Sequence, residues 1–157
     1  MGSRRQEREF ALQALYQCDT LEDFSLEQAR FYFECFHPEI IASDEPSFAK
    51  SLVDGIVESL VLVDGQITAA SQNWSLNRMS RVDRNILRLG TYEICFLDDI
   101  PVSVSINEAI EVAKRYGADD SPMFINGVLD KVAALQRNSG ERTNLPLAAN
   151  IKKVSNA

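Results

Sequence analysis

Arginines at positions 4, 5 and 8 form the most distinctive chemical cluster of the chain, within Arg4-Arg5-Gln6-Glu7-Arg8-Glu9. At about 100° per residue, a helix through this segment gathers all three guanidinium groups within roughly one third of its circumference. Cations in a first turn oppose the helix macrodipole, whose N-terminal N–H groups already present positive charge. An arriving anion relieves that conflict, because a helix N-terminus and guanidinium groups both bind phosphate. The other reading is a solvated, frayed terminus balanced by Glu7 and Glu9. These arginines also continue the line of the apolar stripe through Leu12 and Leu15, so the turn is expected to overhang the end of a helical bundle.

Other residues raise narrower questions. Arg81, Arg84 and Arg88 are spaced i, i+3, i+7; they fit a stripe facing a partner and a set of internal ion pairs equally well. Tyr16 lies about 120° around the first helix from Arg4, where it would anchor a partner or pack partly against the second helix. Phe124 follows Asp120-Ser121-Pro122 at a helix start, a place from which an aromatic ring stacks on an unpaired base or simply joins the core. Asn126-Gly127 within the last helical pattern predicts a close helix crossing at Gly127, with Asn126 buried against a facing loop.

Catalytic equipment is absent. The one histidine, His37, stands beside a proline, and no HExxH, CxxC, GxSxG, P-loop or GxGxxG pattern occurs. The pairs Asp98-Asp99 and Asp119-Asp120 fall at helix junctions, where turns and capping account for them. The chain is therefore read as a non-enzyme, with no catalytic residue, metal site or cofactor expected.

With 157 residues, of which 45% are apolar and 25% charged, the composition is that of an ordinary globular domain. No stretch approaches the roughly 18 uninterrupted apolar residues of a membrane span. The charged start of the chain does not resemble a secretory leader. Cys18, Cys35 and Cys95 are widely spaced and odd in number, as expected of reduced thiols in a cytoplasmic protein. A net charge of −7 repels phosphate on average, so any nucleic-acid contact requires a local basic patch, helped by a partner.

The apolar residues recur with helical period throughout, which predicts an all-α fold of about six to seven helices. Ser3 with Gln6 forms a capping box for a helix over about 4–18, and a second helix at about 26–36 stops before His37-Pro38. Phe48 to Trp74 reads as one long helix or two in sequence, weakened at Gly55 and Gly65. Ser80, with Asp83 at the third helical position, caps a helix over about 81–97. Ser105 with Glu108 repeats the capping box, Gly117 is expected in a left-handed C-terminal cap, and Ser121-Pro122 opens the last helix, about 122–136. Residues 1–137 are read as a single domain, an N-terminal half to about Ser80 packed on a C-terminal half of about 81–137. From 138 to 157 a polar, aperiodic stretch reads as a flexible tail.

In order along the chain, these segments resemble the NusB family of bacterial transcription antitermination factors. The likeness is carried by Arg4-Arg5…Arg8-Glu9-Phe10-Ala11-Leu12-Gln13-Ala14-Leu15-Tyr16-Gln17, Asn73-Trp74-Ser75-Leu76-Asn77-Arg78 and Val82-Asp83-Arg84-Asn85-Ile86-Leu87-Arg88-Leu89. It continues through Tyr92-Glu93, Ile100-Pro101, Ile106-Asn107-Glu108-Ala109-Ile110-Glu111-Val112-Ala113-Lys114 and Phe124-Ile125-Asn126-Gly127-Val128-Leu129-Asp130.

The resemblance implies two small packed helical bundles. It also implies a protein that pairs with the ribosomal protein NusE, binds boxA RNA and supports transcription of ribosomal RNA operons within an RNA polymerase antitermination complex. By position it implies RNA contacts for Arg4, Arg5, Arg8, Asp120 and Phe124, and NusE contacts for Tyr16, Asp83 and Arg84. Some family members form dimers, and an isologous contact would mask the arginine helix when RNA is absent. Gln6 and Glu7 depart from arginine-richer members and imply weak RNA binding by the chain alone. The competing interpretation is a helical protein-interaction module acting in ribosomal RNA maturation without touching RNA.

Overall fold

Helix starts are set largely by serine in the computed structural model, which describes residues 3–138. Ser3 Oγ accepts the Gln6 N–H ahead of α1 (Arg4–Leu21), and Ser25 Oγ the Gln28 N–H ahead of α2 (Leu26–Phe36). After the short α3 (Pro38–Ala42), Ser47 caps α4 (Phe48–Glu58) through the Lys50 N–H. Then come α5 (Leu60–Ala70), a 3₁₀ turn over Leu76–Arg78, and α6 (Arg81–Phe96), which Ser80 caps through the Asp83 N–H. Last are α7 (Val102–Tyr116) and α8 (Ser121–Asn138). Each side-chain cap satisfies one otherwise orphaned N–H and contributes about 1 kcal/mol. The described residues contain no strand, and the fold is all-α.

Among the described residues there are eight α-helices where six or seven are expected, because one short helix is added and the 48–74 run takes the two-helix form. Pro38 cannot continue α2, but it is well suited to open a new helix, and α3 begins there with His37 as the joint. The long run from Phe48 breaks at Ser59, whose N–H turns back to the carbonyls of Gly55 and Ile56 and whose hydroxyl donates to Gly55 O at 2.6 Å. The part of the predicted tail beyond Asn138 lies outside the described residues.

One continuous core joins both halves. Ala11, Leu12, Ala14, Leu15 and Cys18 of α1 meet Leu52, Val53 and Ile56 of α4 and Ile86, Leu87 and Ile94 of α6. Helix α6 in turn packs on α7 and α8, and α8 closes over α5. Burying each Leu, Ile or Val side chain contributes roughly 1.5–3 kcal/mol. Close approach depends on Gly55, where a Cβ would strike the Tyr92 hydroxyl, and on Gly90, where it would lie 2.6 Å from Leu129 Cδ1.

Gly127 plays no such role, contrary to the sequence expectation. It is exposed with nothing within 4 Å of a built Cβ, and Asn126 is exposed as well. Three predicted caps also differ. Helix α7 starts earlier, at Val102, because the Pro101 carbonyl accepts from Val104 and Ser105; Ser105 is thereby drawn inside the helix and buried. Gly117 is extended, at φ −95° and ψ −173°, and the left-handed cap is made instead by Glu22 after α1. Ser121 is the first residue of α8 rather than its cap: the Asp120 carbonyl accepts from Phe124, and Ser121 Oγ accepts from the Ala118 N–H.

Candidate nucleic-acid interface

The first turn of α1 separates its three arginines into different environments. Arg8 lies on the buried stripe with Leu12 and Leu15, at 4% exposure. It makes a two-pronged bond to Glu93 of α6, Nε at 2.7 Å and Nη2 at 2.8 Å, and Ser105 Oγ donates to the same carboxylate at 2.7 Å. The turn does not overhang the bundle at this position. Arg8 is a buried ion-pair member joining α1 to α6, and α7 supplies the serine.

Arg5 grips Glu108 of α7 in the same forked manner, at 2.8 and 2.9 Å, yet its side chain remains half exposed. Hydrogen bonding and charge from Arg5, opposed by partial burial, hold the Glu108 carboxyl below its usual range. That carboxylate likewise pushes the Arg5 guanidinium further up. Arg4 is exposed and pairs with no carboxylate among the described residues; its guanidinium lies 4.0 Å from the centroid of the Phe48 ring, a cation–π contact. Ser3, Arg4, Arg5, Arg8 and Glu108 line an open cleft of about 780 Å³ together with Asp99, Ile100, Pro101 and Val104.

Neither Glu7 nor Glu9 forms an ion pair with these cations, although the Glu9 charge still favours the Arg5 guanidinium. Glu7 Oε1 accepts from the Ala49 N–H and the Ser47 hydroxyl and so caps α4, while Glu9 binds Arg115 and Tyr116 on α7. A carboxylate at the start of α4 is favoured by that helix's dipole.

At the far end of α1, Asp19 collects the second basic stripe. It accepts from Arg84 at 2.9 Å through both nitrogens, from Asn85 at 2.8 Å and from Arg88 at 3.2 Å; Arg81 approaches to 3.5 Å. Arg88 also grips Asp64 of α5 in a fork. Burial works to raise the Asp19 carboxyl, but bonds from Arg84 and Asn85 and the charges of Arg84 and Arg88 outweigh it and leave it low. The stripe is thus a set of internal ion pairs. Arg84 is committed to Asp19 and the Leu76 carbonyl, whereas Tyr16, one turn before Asp19, is exposed.

The remaining site residues converge elsewhere. Asp83, Asp120 and Phe124 line one small cavity together with Trp74 and Arg78. Sequence reasoning missed Glu93, Glu108, Asp19 and Asp64 as partners of the arginines. A signal existed for Glu93: it stands four residues after Leu89 on the apolar face of α6, where a charge requires a buried counter-ion.

Among the described residues, no group of three or more His, Cys, Asp or Glu side chains is arranged to hold a metal ion, and no helix is long and apolar enough to cross a membrane. The described residues form an all-helical scaffold with Arg4, Arg5 and Tyr16 exposed on its first helix. The NusB family model matches residues 5–134. Transcription antitermination protein NusB of Geotalea uraniireducens is 49% identical over 140 residues, covering 86% of this chain and 97% of that protein. A solved NusB structure from T. maritima superposes with a TM-score of 0.72 at 39% identity, covering 85% of this chain and 92% of the other. A crystal structure of antitermination factors NusB and NusE in complex with dsRNA is similar with a TM-score of 0.70 at 27% identity, covering 84% and 96%. The chain belongs to the NusB family, which comprises transcription antitermination factors and not enzymes.

Proposed function

We propose that this chain binds boxA-type RNA together with NusE, as part of a cytoplasmic RNA polymerase antitermination complex that supports transcription of ribosomal RNA operons. The observation that carries this reading is the start of α1, where Arg4 and Arg5 stand at the mouth of an open cleft in a chain of net charge −7. A family relative solved with NusE and RNA adds support.

Within this reading Arg4 and Arg5 contact phosphate, and Arg8 positions them by fixing α1 to α6. Two phosphate contacts give a salt slope of only about −1.4, at roughly −0.7 per contact on a single strand. Such a foothold is weak alone, and a second RNA-binding subunit raises the effective concentration. Tyr16 and Asp83 are the proposed NusE contacts; Arg84 supports that face through Asp19.

The test is a titration of boxA RNA into the chain with and without NusE, by fluorescence anisotropy. Affinity is expected to rise markedly with NusE, and Arg4→Ala with Arg5→Ala is expected to weaken binding while helical content is retained. Equal affinities with and without NusE would discard the partnership. Absence of RNA binding under both conditions would leave only a protein-interaction module.

A further inference from the structure

Glu108 fits the sequence pattern of a capping box, yet α7 begins at Val102 and leaves this residue in its second turn, where the carboxylate caps nothing. It turns instead to two guanidinium groups. Arg5 donates to it through Nε at 2.8 Å and Nη2 at 2.9 Å, and Arg8 Nη1 stands 3.9 Å from Oε1. Arg8 is itself held by Glu93, to which Ser105 also donates. The four charges therefore alternate from core to surface as Glu93, Arg8, Glu108 and Arg5, with side-chain exposures of 1%, 5%, 20% and 51%. Arg5 ends this ladder at the cleft. A guanidinium carries five N–H donors in a rigid plane, enough for two forked pairings on different edges. The Nε/Nη2 edge of Arg5 is taken by Glu108, and Nη1 makes no hydrogen bond among the described residues.

We propose that Glu108 is a positioning residue for RNA: it holds the Nε/Nη2 edge of Arg5, so that the remaining Nη1/Nη2 edge meets one backbone phosphate in the cleft. The proposal rests on the RNA-binding reading above and adds Glu108 to it. An arginine without that grip loses rotamer freedom when it engages a phosphate, and the ordering lowers affinity. Glu108 orders the side chain in advance, anchored in turn by Arg8 and the buried Glu93. Repulsion between the carboxylate and the phosphate opposes this effect. The two sit on different edges of one guanidinium, however, and the high dielectric of an open cleft keeps their repulsion small. Charge counting alone says that removing an acid from an RNA site tightens binding. Positioning demands the reverse.

The experiment measures the affinity of boxA-type single-stranded RNA by fluorescence anisotropy for the full chain with NusE, in a double-mutant cycle on Glu108 and Arg5. Glu108→Ala should weaken binding roughly 2- to 10-fold, the factor for immobilising one long side chain. In the Arg5→Ala background the same change should have no effect, a coupling that a general loss of stability does not produce. Arg5→Lys keeps the charge but has no second edge, and should bind nearly as weakly as Arg5→Ala. Single uncharged methylphosphonate linkages placed along the RNA should reveal one phosphate that matters to the wild type and much less to Glu108→Ala. Tighter binding by Glu108→Ala would show that the acid competes with RNA for Arg5, and would overturn the proposal. Equal weakening with and without Arg5 would assign Glu108 to the fold alone, and unchanged affinity would leave it no part in binding; either result overturns the proposal. RNA binding indifferent to Arg5→Ala overturns it too. In all of these results RNA still binds and the RNA reading stands, whereas no RNA binding by the wild type removes both.

Discussion

Removing Arg8 should cost far more stability than removing Arg4 or Arg5. Its guanidinium and the Glu93 carboxylate are 5% and 1% exposed as side chains, and two N–H···O bonds plus the Ser105 hydroxyl engage the acid. Truncation to alanine strands a buried carboxylate, for which about 3–5 kcal/mol is the usual loss. A domain of this size loses about 2–4 °C of melting temperature per kcal/mol, so Arg8→Ala should melt roughly 6–20 °C below wild type. Urea unfolding at neutral pH measures the free energy directly, with an unchanged slope showing that the same surface unfolds. The sharper test is a set of replacements in which the whole polar group is removed together. Arg8→Met with Glu93→Leu and Ser105→Ala leaves no orphaned charge or hydroxyl from this trio, and should recover most of the loss despite lacking the ion pair. Arg8→Ala costing under about 1 kcal/mol, or a triple variant less stable than the single, would refute the argument that stranded charge sets the cost.

Three further outcomes follow from the geometry. Asp19 is held low in the folded state, so its stabilisation is present above the unfolded carboxylate value of about 3.9 and is lost as pH falls through the lower folded value. Asp19→Asn should therefore be less stable than wild type at pH 7, with a gap that closes in acid; a gap constant down to pH 2 contradicts this. Gly127→Ala should stabilise the chain by up to about 1 kcal/mol, because the position is helical, exposed and free of neighbours; thermal unfolding showing a loss would restore the close crossing expected from sequence. Under native conditions at pH 8 a disulfide exchange reagent should titrate one thiol quickly, that of exposed Cys35. Cys18 is buried and its thiol is pushed up to about 11, first by burial and then by Asp23 and Asp19, and Cys95 is buried too. Three equally fast thiols would contradict the burial.

Local features were legible in the sequence where their causes are local. The Ser3 and Ser80 caps bind N–H groups three residues away, and helical periodicity located α1, α2, α6 and α8 to within a few residues. The long-range charges were not legible. Arg8 and Glu93 lie 85 residues apart, Arg5 and Glu108 103, and Arg84 and Asp19 65. Helical periodicity treats each charged residue as facing solvent unless something contradicts it. Of the arginine trio only Arg8 lies on the buried line of Leu12 and Leu15, and which member sinks inward depends on where α6 and α7 deliver their carboxylates. Trp74 fails for the opposite reason: its spacing matches the helix before it, and the chain leaves that helix just ahead of it.

The stiffness of α1 bears on how the proposed NusE and RNA sites would act together. Arg4 and Tyr16 stand on one unbroken rod, about 18 Å apart along its axis at 1.5 Å per residue. Each end is riveted to α6, through Arg8–Glu93 and Asp19–Arg84. A rod fixed twice has little scope to relay a shape change from one end to the other. On the proposed function, mutual reinforcement between RNA and NusE would then arise outside this chain, by chelation, with a strand at the guanidinium end presented to the protein beside Tyr16.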